Sequence, residues 1–458
     1  MKMANEMVNM DTMPLRWGHF RVLLVASLGQ LLGAALATLI GVVIPLIQII
    51  RHPELTSFQQ GVIAGSELIG LMLGSLVFGH LSDKYGYLFF FRFCPALVLL
   101  FSLIAYFSNI LPVLVVALFF MGFGIGGEYS LDPDYISEIM PKRWKLLMVG
   151  VSKSFAAIGN FLMAGVCFWL LKEWNTAEDW NKLLLTVSVL SVIMLLSRIR
   201  FWESPGWLVA HEKLQEAEVV VKHFLGNDVD LGDLKNTPIR RLKRKVTWGE
   251  LFNKQNIQKT ILGSVPWACE GVGVYGVGVF TPVLILVLGL ESVSEGSFDK
   301  VVGSVAITSY INVFILIGFI IGLFLVNRWY HIKTQSLGFF LAAMGLILLL
   351  IAYLFHWPAW IAIAGFMMFE LFLNAGPHLM TFILPTQIYT VEERGTGVGL
   401  SAAIGKFGAV AGVVFIPLLL KWGGGTLVLL FSIGVTLLGG MITLFLGRKV
   451  FPKKDATK

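Results

Sequence analysis

Charged side chains are scarce in this chain. Asp, Glu, Lys and Arg make up 14% of its 458 residues, where a soluble domain keeps roughly a quarter of its residues charged. With 56% hydrophobic residues and a mean hydropathy of +0.79, a chain this long cannot dissolve as a globule, and its solvent must be largely lipid. Cysteine is rarer still. Cys94, Cys167 and Cys269 sit singly inside apolar runs, which excludes a disulfide framework and a CxxC metal or redox site. P-loop, DFG-like, GxSxG and HExxH patterns are absent. No enzyme, ATP-driven pump or cofactor is therefore expected. The first twenty residues lack a basic, apolar, small-residue cleavage pattern, so no signal peptide is expected.

Long apolar runs are abundant. Crossing ~30 Å of hydrocarbon takes about 20 apolar residues in a helix. Such runs lie near 19–49, 58–81, 88–108, 110–139, 146–171, 183–201, 258–289, 302–326, 335–355, 358–388, 397–420 and 425–447. The pattern predicts an all-α membrane protein of twelve transmembrane helices. It divides into a six-helix bundle over 1–202, a linker over 203–256, and a second six-helix bundle over 257–458. The linker carries the basic stretch Arg240-Arg241-Leu242-Lys243-Arg244-Lys245 and an amphipathic run, WLVAHEKLQEAEVVVKHF, preceded by Ser204 as cap and Pro205 in the first turn. With both termini in the cytoplasm, 28 of the 35 Lys and Arg fall on that side. Arg51, Lys172, Lys182, Lys300 and Lys421 lie outside, and Lys153 and Lys406 lie within the membrane. The positive-inside rule selects this topology and a multi-pass place in the plasma or inner membrane. The basic linker then reads as facing anionic lipid headgroups, and no nucleic-acid partner is expected.

The two halves echo each other. At an offset of 249 residues, Gly150 matches Gly399, Ser152 matches Ser401, and Gly159 matches Gly408. Repeated six-helix halves are the build of a transporter that rocks about a central site. The motifs agree with that reading. Gly79, Asp83 and Gly86 fit the loop 2–3 signature of the major facilitator superfamily, with Tyr87 where a basic residue is usual. The run Glu138…Pro141…Arg143 and the segment RFWESPGWL (200–208) resemble the branch of sugar, organic-ion and phosphate porters. GFGIGGEYSLDPDYISE (122–138) and the stretch FLNAGPHLMTFILPTQIYTVEERGTGVGLSAAIGKFGAV resemble the phosphate:proton symporter family.

That resemblance implies roles for particular residues. Glu128 and Tyr129 match the family's acid–tyrosine pair, Trp267 and Tyr275 its helix 7 aromatics, and Lys406 its helix 11 lysine. The helix 1 aspartate has no counterpart. Ala156, Gly271 (beside Glu270) and His378 stand where the family carries Gln, Asp and Asn.

The residues themselves give a parallel reading. Ionisable groups within a bilayer cost several kcal/mol unless paired or hydrated, so they mark pathways or structural pairs. Glu67, Glu128, Asp132, Asp134, Glu138, Lys153, Glu270, Glu370 and Lys406 are the candidates. Glu128 lies ten residues inside Glu138, ~15 Å, and Lys406 twelve residues inside Arg394, ~18 Å, which sets both near the midplane. Lys406 either meets an anionic solute or pairs with a carboxylate such as Glu128 or Glu370. Glu128 either exchanges a proton or is locked in a salt bridge. Lys153 is expected to pair with Asp132 or Asp134. Trp267 and Tyr275 line a cavity or belong to an interfacial belt. Glu370 and Asn374 form one polar stripe, and His378 titrates or packs. Asp83, Glu138, Arg143, Glu203, Glu393 and Arg394 sit at cytoplasmic helix ends, where charges can latch the halves.

The expectation is thus a secondary transporter that imports a small anion, phosphate or an organic acid, with protons, as a monomer in the bilayer. Tyr129, Trp267, Tyr275, Asn374, His378 and Lys406 would bind the solute, Glu128 and Glu270 would carry the proton, and Asp83, Glu138, Arg143, Glu393 and Arg394 would gate. The alternatives are a porter for uncharged, sugar-like metabolites and a transporter-like sensor.

Overall fold

The structure is a computed structural model that describes residues 7–232, 234, 248–290, 297–326, 328–389 and 394–450, without the side chains of Asp83, Trp248 and of 394–396. Apolar runs of 20 or more residues can satisfy their backbone in lipid only by coiling, and the chain does so throughout. Helices α1 (Trp17–Ile50), α2 (Ser57–Tyr85), α3 (Tyr87–Tyr106), α4 (Leu111–Ile139), α5 (Lys145–Trp174) and α6 (Leu184–Ser197) form the first bundle. Two short helices follow, α7 (Pro205–Ala210) and α8 (Leu214–Leu225). The second bundle holds α9 (Ile257–Gly271), α10 (Thr281–Val287), α11 (Ser297–Val326), α12 (His331–Leu354), α13 (Ala359–Ala375), α14 (Pro377–Ile388) and α15 (Arg394–Val450).

Twelve crossings emerge once three local features are read correctly. The run 258–289 is not one straight helix: α9 passes through a π-helical turn, Val272–Val277, and then bends by 62° into α10. Glycines at 271, 273, 276 and 278 and Pro282 in the first turn of α10 make that turn cheap. The run 358–388 breaks at Gly376 (φ −124°, ψ −85°), because Pro377 offers no N–H to a continuing helix. The last two crossings merge into α15, kinked where Gly424 takes φ +61°. By contrast α4 runs on through Pro133.

Small residues set how close the helices come. Gly70 and Gly74 of α2 lie against the backbone of Phe119 and Phe123, while Gly122 and Gly126 of α4 lie against Glu67 and Leu71. The two helices thus offer reciprocal small-xxx-small faces. The repeat read at Gly159 and Gly408 has a structural counterpart: each presses on the first helix of its own bundle, at Leu31 and Ala268 respectively. Between bundles, α5 packs on α11 and α2 on the first arm of α15.

The amphipathic run after α6 is two helices, not one. Ser204 caps α7 by accepting from the Trp207 amide at 3.0 Å, and Glu212 at φ +64° turns the chain before α8. The N-terminal segment is clasped to this region. Val8 pairs in parallel with Val229, and Arg16 forks onto Asp228 at 2.7 and 2.6 Å while also donating to the Leu225 carbonyl at 2.7 Å. That fork holds the Asp228 carboxyl down to about 2. The basic stretch 240–245 lies outside the described residues.

Candidate functional site

The two broken helices meet where α4, α5 and the first arm of α15 converge. The π turn carries Tyr275, and the α13–α14 break brings Asn374 and His378 to the same place. Discontinuous helices of this kind are how transporters expose backbone and polar side chains at mid-depth. Three adjoining cavities occupy the junction. One, of about 50 Å³, is lined by Thr38, Asn160, Asn312, Glu370 and Asn374 among others. A second, also about 50 Å³, is lined by Trp267, Glu270, Phe382 and Lys406. Tyr129, Lys153, Tyr275 and His378 face both. A third, about 20 Å³, lies between Gln30, Pro133, Ser152 and Lys153.

All six residues assigned to the solute therefore border these spaces, as does Glu270. The hydroxyls of Tyr129 and Tyr275, one from each bundle, lie 3.5 Å apart and partition the first two cavities. Lys406 donates to the Tyr275 hydroxyl at 3.3 Å and stands over the rings of Tyr129 (4.6 Å) and Tyr275 (4.9 Å). Lys153 donates to Gln30 at 3.3 Å and stands over the Tyr129 ring at 4.3 Å. Among the described residues, neither lysine has a carboxylate within 4.0 Å. Ring faces stabilise a cation by about 0.5–2 kcal/mol, less than an ammonium loses when taken from water.

A polar chain runs opposite. Asn374 donates through Nδ2 to Glu370 (Oε2 3.2 Å, main-chain O 2.8 Å), so its Oδ1 is the acceptor for His378 Nδ1 at 2.9 Å. The same Nδ1 lies 3.6 Å from Glu270 Oε1. This links Glu270, His378, Asn374 and Glu370 in one line from α9 to α13.

Two sequence expectations are corrected here. Glu128 does not line a cavity. Arg198, the residue that closes α6, is wholly buried and grips it through Nη1–Oε1 at 2.9 Å and Nη2–Oε2 at 2.7 Å, with Asp132 Oδ1 at 3.5 Å and the Phe91 carbonyl at 2.8 Å. This contact is the salt-bridge arrangement, one of the two read for Glu128 from the sequence. Gly29 of α1 leaves room for the cluster, since a Cβ there would run into both carboxylates. Asp132 is taken by Arg198, and Lys153 has neither Asp132 nor Asp134 within ion-pair distance, so the expected pair is absent and Lys153 is left to the cavity. Lys406 likewise has neither Glu128 nor Glu370 as an ion-pair partner.

Among the described residues, Glu138 and Glu203 at the helix ends on the linker side make contacts that do not cross between the bundles. Glu138 accepts from the Ser204 hydroxyl and from the Gly206 amide at 2.9 Å, which fastens α4 to α7 in its own half. Glu203 accepts from the amides of Tyr87 (2.8 Å) and Leu88 (3.1 Å) and so caps α3. Arg143 is exposed beside the Trp144 ring at 5.6 Å. Glu393 and the side chains of Asp83 and Arg394 lie outside the described residues.

Residues the sequence reading did not assign to the site are Thr38, Gln30, Lys153, Asn160 and Asn312. Thr38 donates to Asn160 Oδ1 at 2.9 Å, and Asn312 donates to the Asn160 carbonyl at 3.2 Å, joining the bundles across α5 and α11. A polar residue in the middle of an apolar run was the available signal for each.

Residues 16–448 match the family model described as sugar (and other) transporter. The inner membrane metabolite transport protein YgcS of Escherichia coli K12 is 27% identical over 441 residues, covering 96% of this chain and 94% of that protein. The repressible high-affinity phosphate permease of Neurospora crassa is 22% identical over 453 residues, covering 89% and 79% respectively. Among solved structures, the xylose transporter XylE of E. coli in an inward-open conformation superposes with a TM-score of 0.76 at 18% identity, over 93% of this chain and 95% of that one. The twelve crossings in two pseudo-symmetric bundles are thus the major facilitator fold, in a multi-pass membrane protein that is a secondary transporter and not an enzyme. The chain belongs to the sugar (and other) transporter family.

Proposed function

We propose that this transporter takes up a small hydroxylated organic acid together with protons, by alternating access. One observation carries the reading: Lys153 and Lys406, one from each bundle, border one shared cavity with no carboxylate within 4.0 Å among the described residues. An interior ammonium needs a negative partner, and a solute carboxylate between the two lysines supplies it. Thr38, Asn160, Asn312 and Asn374 next door offer amides and hydroxyls that suit the solute's own hydroxyl groups. Phosphate makes less use of that second space. The proton would sit on an interior carboxylate facing Lys406, for which Glu270 and Glu67 are the candidates.

The same amide-lined cavity, with the xylose transporter as a structural neighbour, favours a second reading in which the cargo is an uncharged sugar. The remaining assignments follow the first reading: bundles over 1–202 and 257–458 that rock as a monomer, a cytoplasmic linker and termini, a plasma or inner membrane location, and gating by Asp83, Glu393 and Arg394 at the linker end. Uptake into proteoliposomes, acidic outside, decides the cargo. Gluconate is expected to accumulate, glucose to be excluded, and inorganic phosphate to compete weakly. Glucose accumulation with no gluconate uptake would favour the sugar porter, and binding of gluconate without uptake would favour a sensor.

A further inference from the structure

Among the described residues Glu67 lines none of the three cavities above and has no ion-pair partner within 4.0 Å, yet it is one of their most enclosed acids. It lies on the α2 face that meets α4, where Gly122 comes against its backbone, and its side chain is 1% exposed. Its Oε1 has no hydrogen-bond partner. The charged group whose field acts on it is Lys406, on the first arm of α15 in the other bundle. The other titratable groups around it are Tyr129 of α4 and Tyr275 of the π turn, the two residues whose rings Lys406 also touches. So α2 and α15, which pack together across the bundle interface, bring an unpartnered carboxylate and an ammonium without a carboxylate partner, among the described residues, into the neighbourhood of one tyrosine pair.

Resting on the anion reading above, we infer that Glu67 is the resting counter-ion of Lys406 and the group that takes up the proton when the solute arrives. A lysine stem is flexible. In the empty protein Lys406 turns toward Glu67, and the two charges balance across the interface. When a solute carboxylate enters the lysine cavity, Lys406 turns to it. Glu67 is then a lone anion in an apolar seam, and binding one proton converts it to a neutral acid. Lys406 stays an ammonium throughout, so one monoanion and one proton enter together with no change in net charge. Glu270 is the weaker choice for this step. It has His378 at 3.6 Å and faces Lys153 as well as Lys406, so it keeps a positive neighbour when Lys406 moves.

The purified full-length protein supplies two independent readouts. The first needs no solute: thermal unfolding in detergent of Glu67→Gln, Lys406→Gln and the double variant. Each single change strands a charge and is expected to lower Tm, and the double is expected to regain most of the loss. Additive losses would overturn the pairing. The second is proton uptake on gluconate binding, followed with an indicator dye in weak buffer. The wild type should take up one proton per solute and Glu67→Gln none. Undiminished uptake in Glu67→Gln overturns the inference. If neither gluconate nor inorganic phosphate binds the wild type, the anion reading falls, while the unfolding cycle still decides whether Glu67 and Lys406 are partners.

Discussion

Removing Arg198 tests the claim that the charge buried in the first bundle is structural. Arg198, Glu128 and Asp132 are all wholly buried, with guanidinium–carboxylate contacts of 2.7 and 3.5 Å. At an effective dielectric constant of about 20, each attraction is on the order of 5 kcal/mol before desolvation is counted. Most of that offsets the cost of burying the ions. Deleting one partner, however, leaves the others with no compensation, which typically costs about 3–5 kcal/mol. Arg198→Met keeps the stem and removes the charge, so it should lose stability in that range, together with the bond to the Phe91 carbonyl. Adding Glu128→Gln and Asp132→Asn should restore most of it, because no charge then remains to be matched. Asp132→Asn alone, which removes the more distant carboxylate, should be the mildest single change. Reversible unfolding in mixed micelles, followed by tryptophan fluorescence, measures all four. Arg198→Met as stable as the wild type, or a triple variant worse than the single, would refute the locked-cluster reading and return Glu128 to the list of proton carriers.

Three further outcomes are expected. Gly159→Val and Gly408→Val should lower Tm by similar amounts, since each glycine presses on the first helix of its bundle; strongly unequal losses would count against the repeat as a packing device. Tyr275→Phe removes the hydroxyl that accepts from Lys406 at 3.3 Å and should weaken gluconate binding about tenfold, the low end for a hydrogen bond to a charged group; calorimetry reads it, and unchanged affinity would take Tyr275 out of the site. Asp228→Ala should speed hydrogen exchange of the amides that pair the two segments, such as the Val8 N–H that donates to the Asp228 carbonyl at 2.8 Å, with no change in global Tm. Because the Asp228 carboxyl titrates at about 2, below its ordinary value, through its bond to Arg16, the clasp is present above the usual carboxylate range and is lost only as pH falls through about 2. Exchange of these amides in the wild type should therefore show no opening of the clasp between pH 5 and 8; an opening there would contradict the Arg16–Asp228 anchor.

The crossings were legible because hydropathy over 20 residues is a bulk property that few local choices can hide. Direction around a helix axis was not. Depth put Glu128 and Lys406 at mid-membrane, but depth cannot say that Glu128 turns toward α6 while Tyr129, the next residue, turns toward the cavity. Arg198 was counted with the basic residues flanking the linker, and one more turn of helix would have put it there. Instead the chain ends α6 at Ser197 and buries the guanidinium, which reassigns Asp132 and in turn frees Lys153. One misplaced charge thus changed three partnerships. The breaks in the seventh and tenth crossings were written as Gly-rich and Gly-Pro stretches, but such stretches also mark close packing, and their meaning depends on which neighbour lies opposite.

The placement of charge also separates two tasks. In the first bundle the guanidinium contacts of Arg198, among the described residues, are all to α3 and α4, so nothing about that cluster need change when the bundles move as rigid bodies. The lysines differ. Lys153 and Lys406 come from opposite bundles yet meet over one ring, Tyr129, whose hydroxyl reaches Tyr275 across the interface. Two like charges drawn to one ring cannot stay there unmatched at low cost, and each neutralising group on offer (Glu270, Glu67 or, on the reading proposed above, a solute anion) belongs to or enters at the seam. Rocking must then part Tyr129 from Tyr275 and redistribute those charges together. Occupancy of the cavity and the position of the bundles become coupled through the same few contacts, which is the condition for transport in place of leakage.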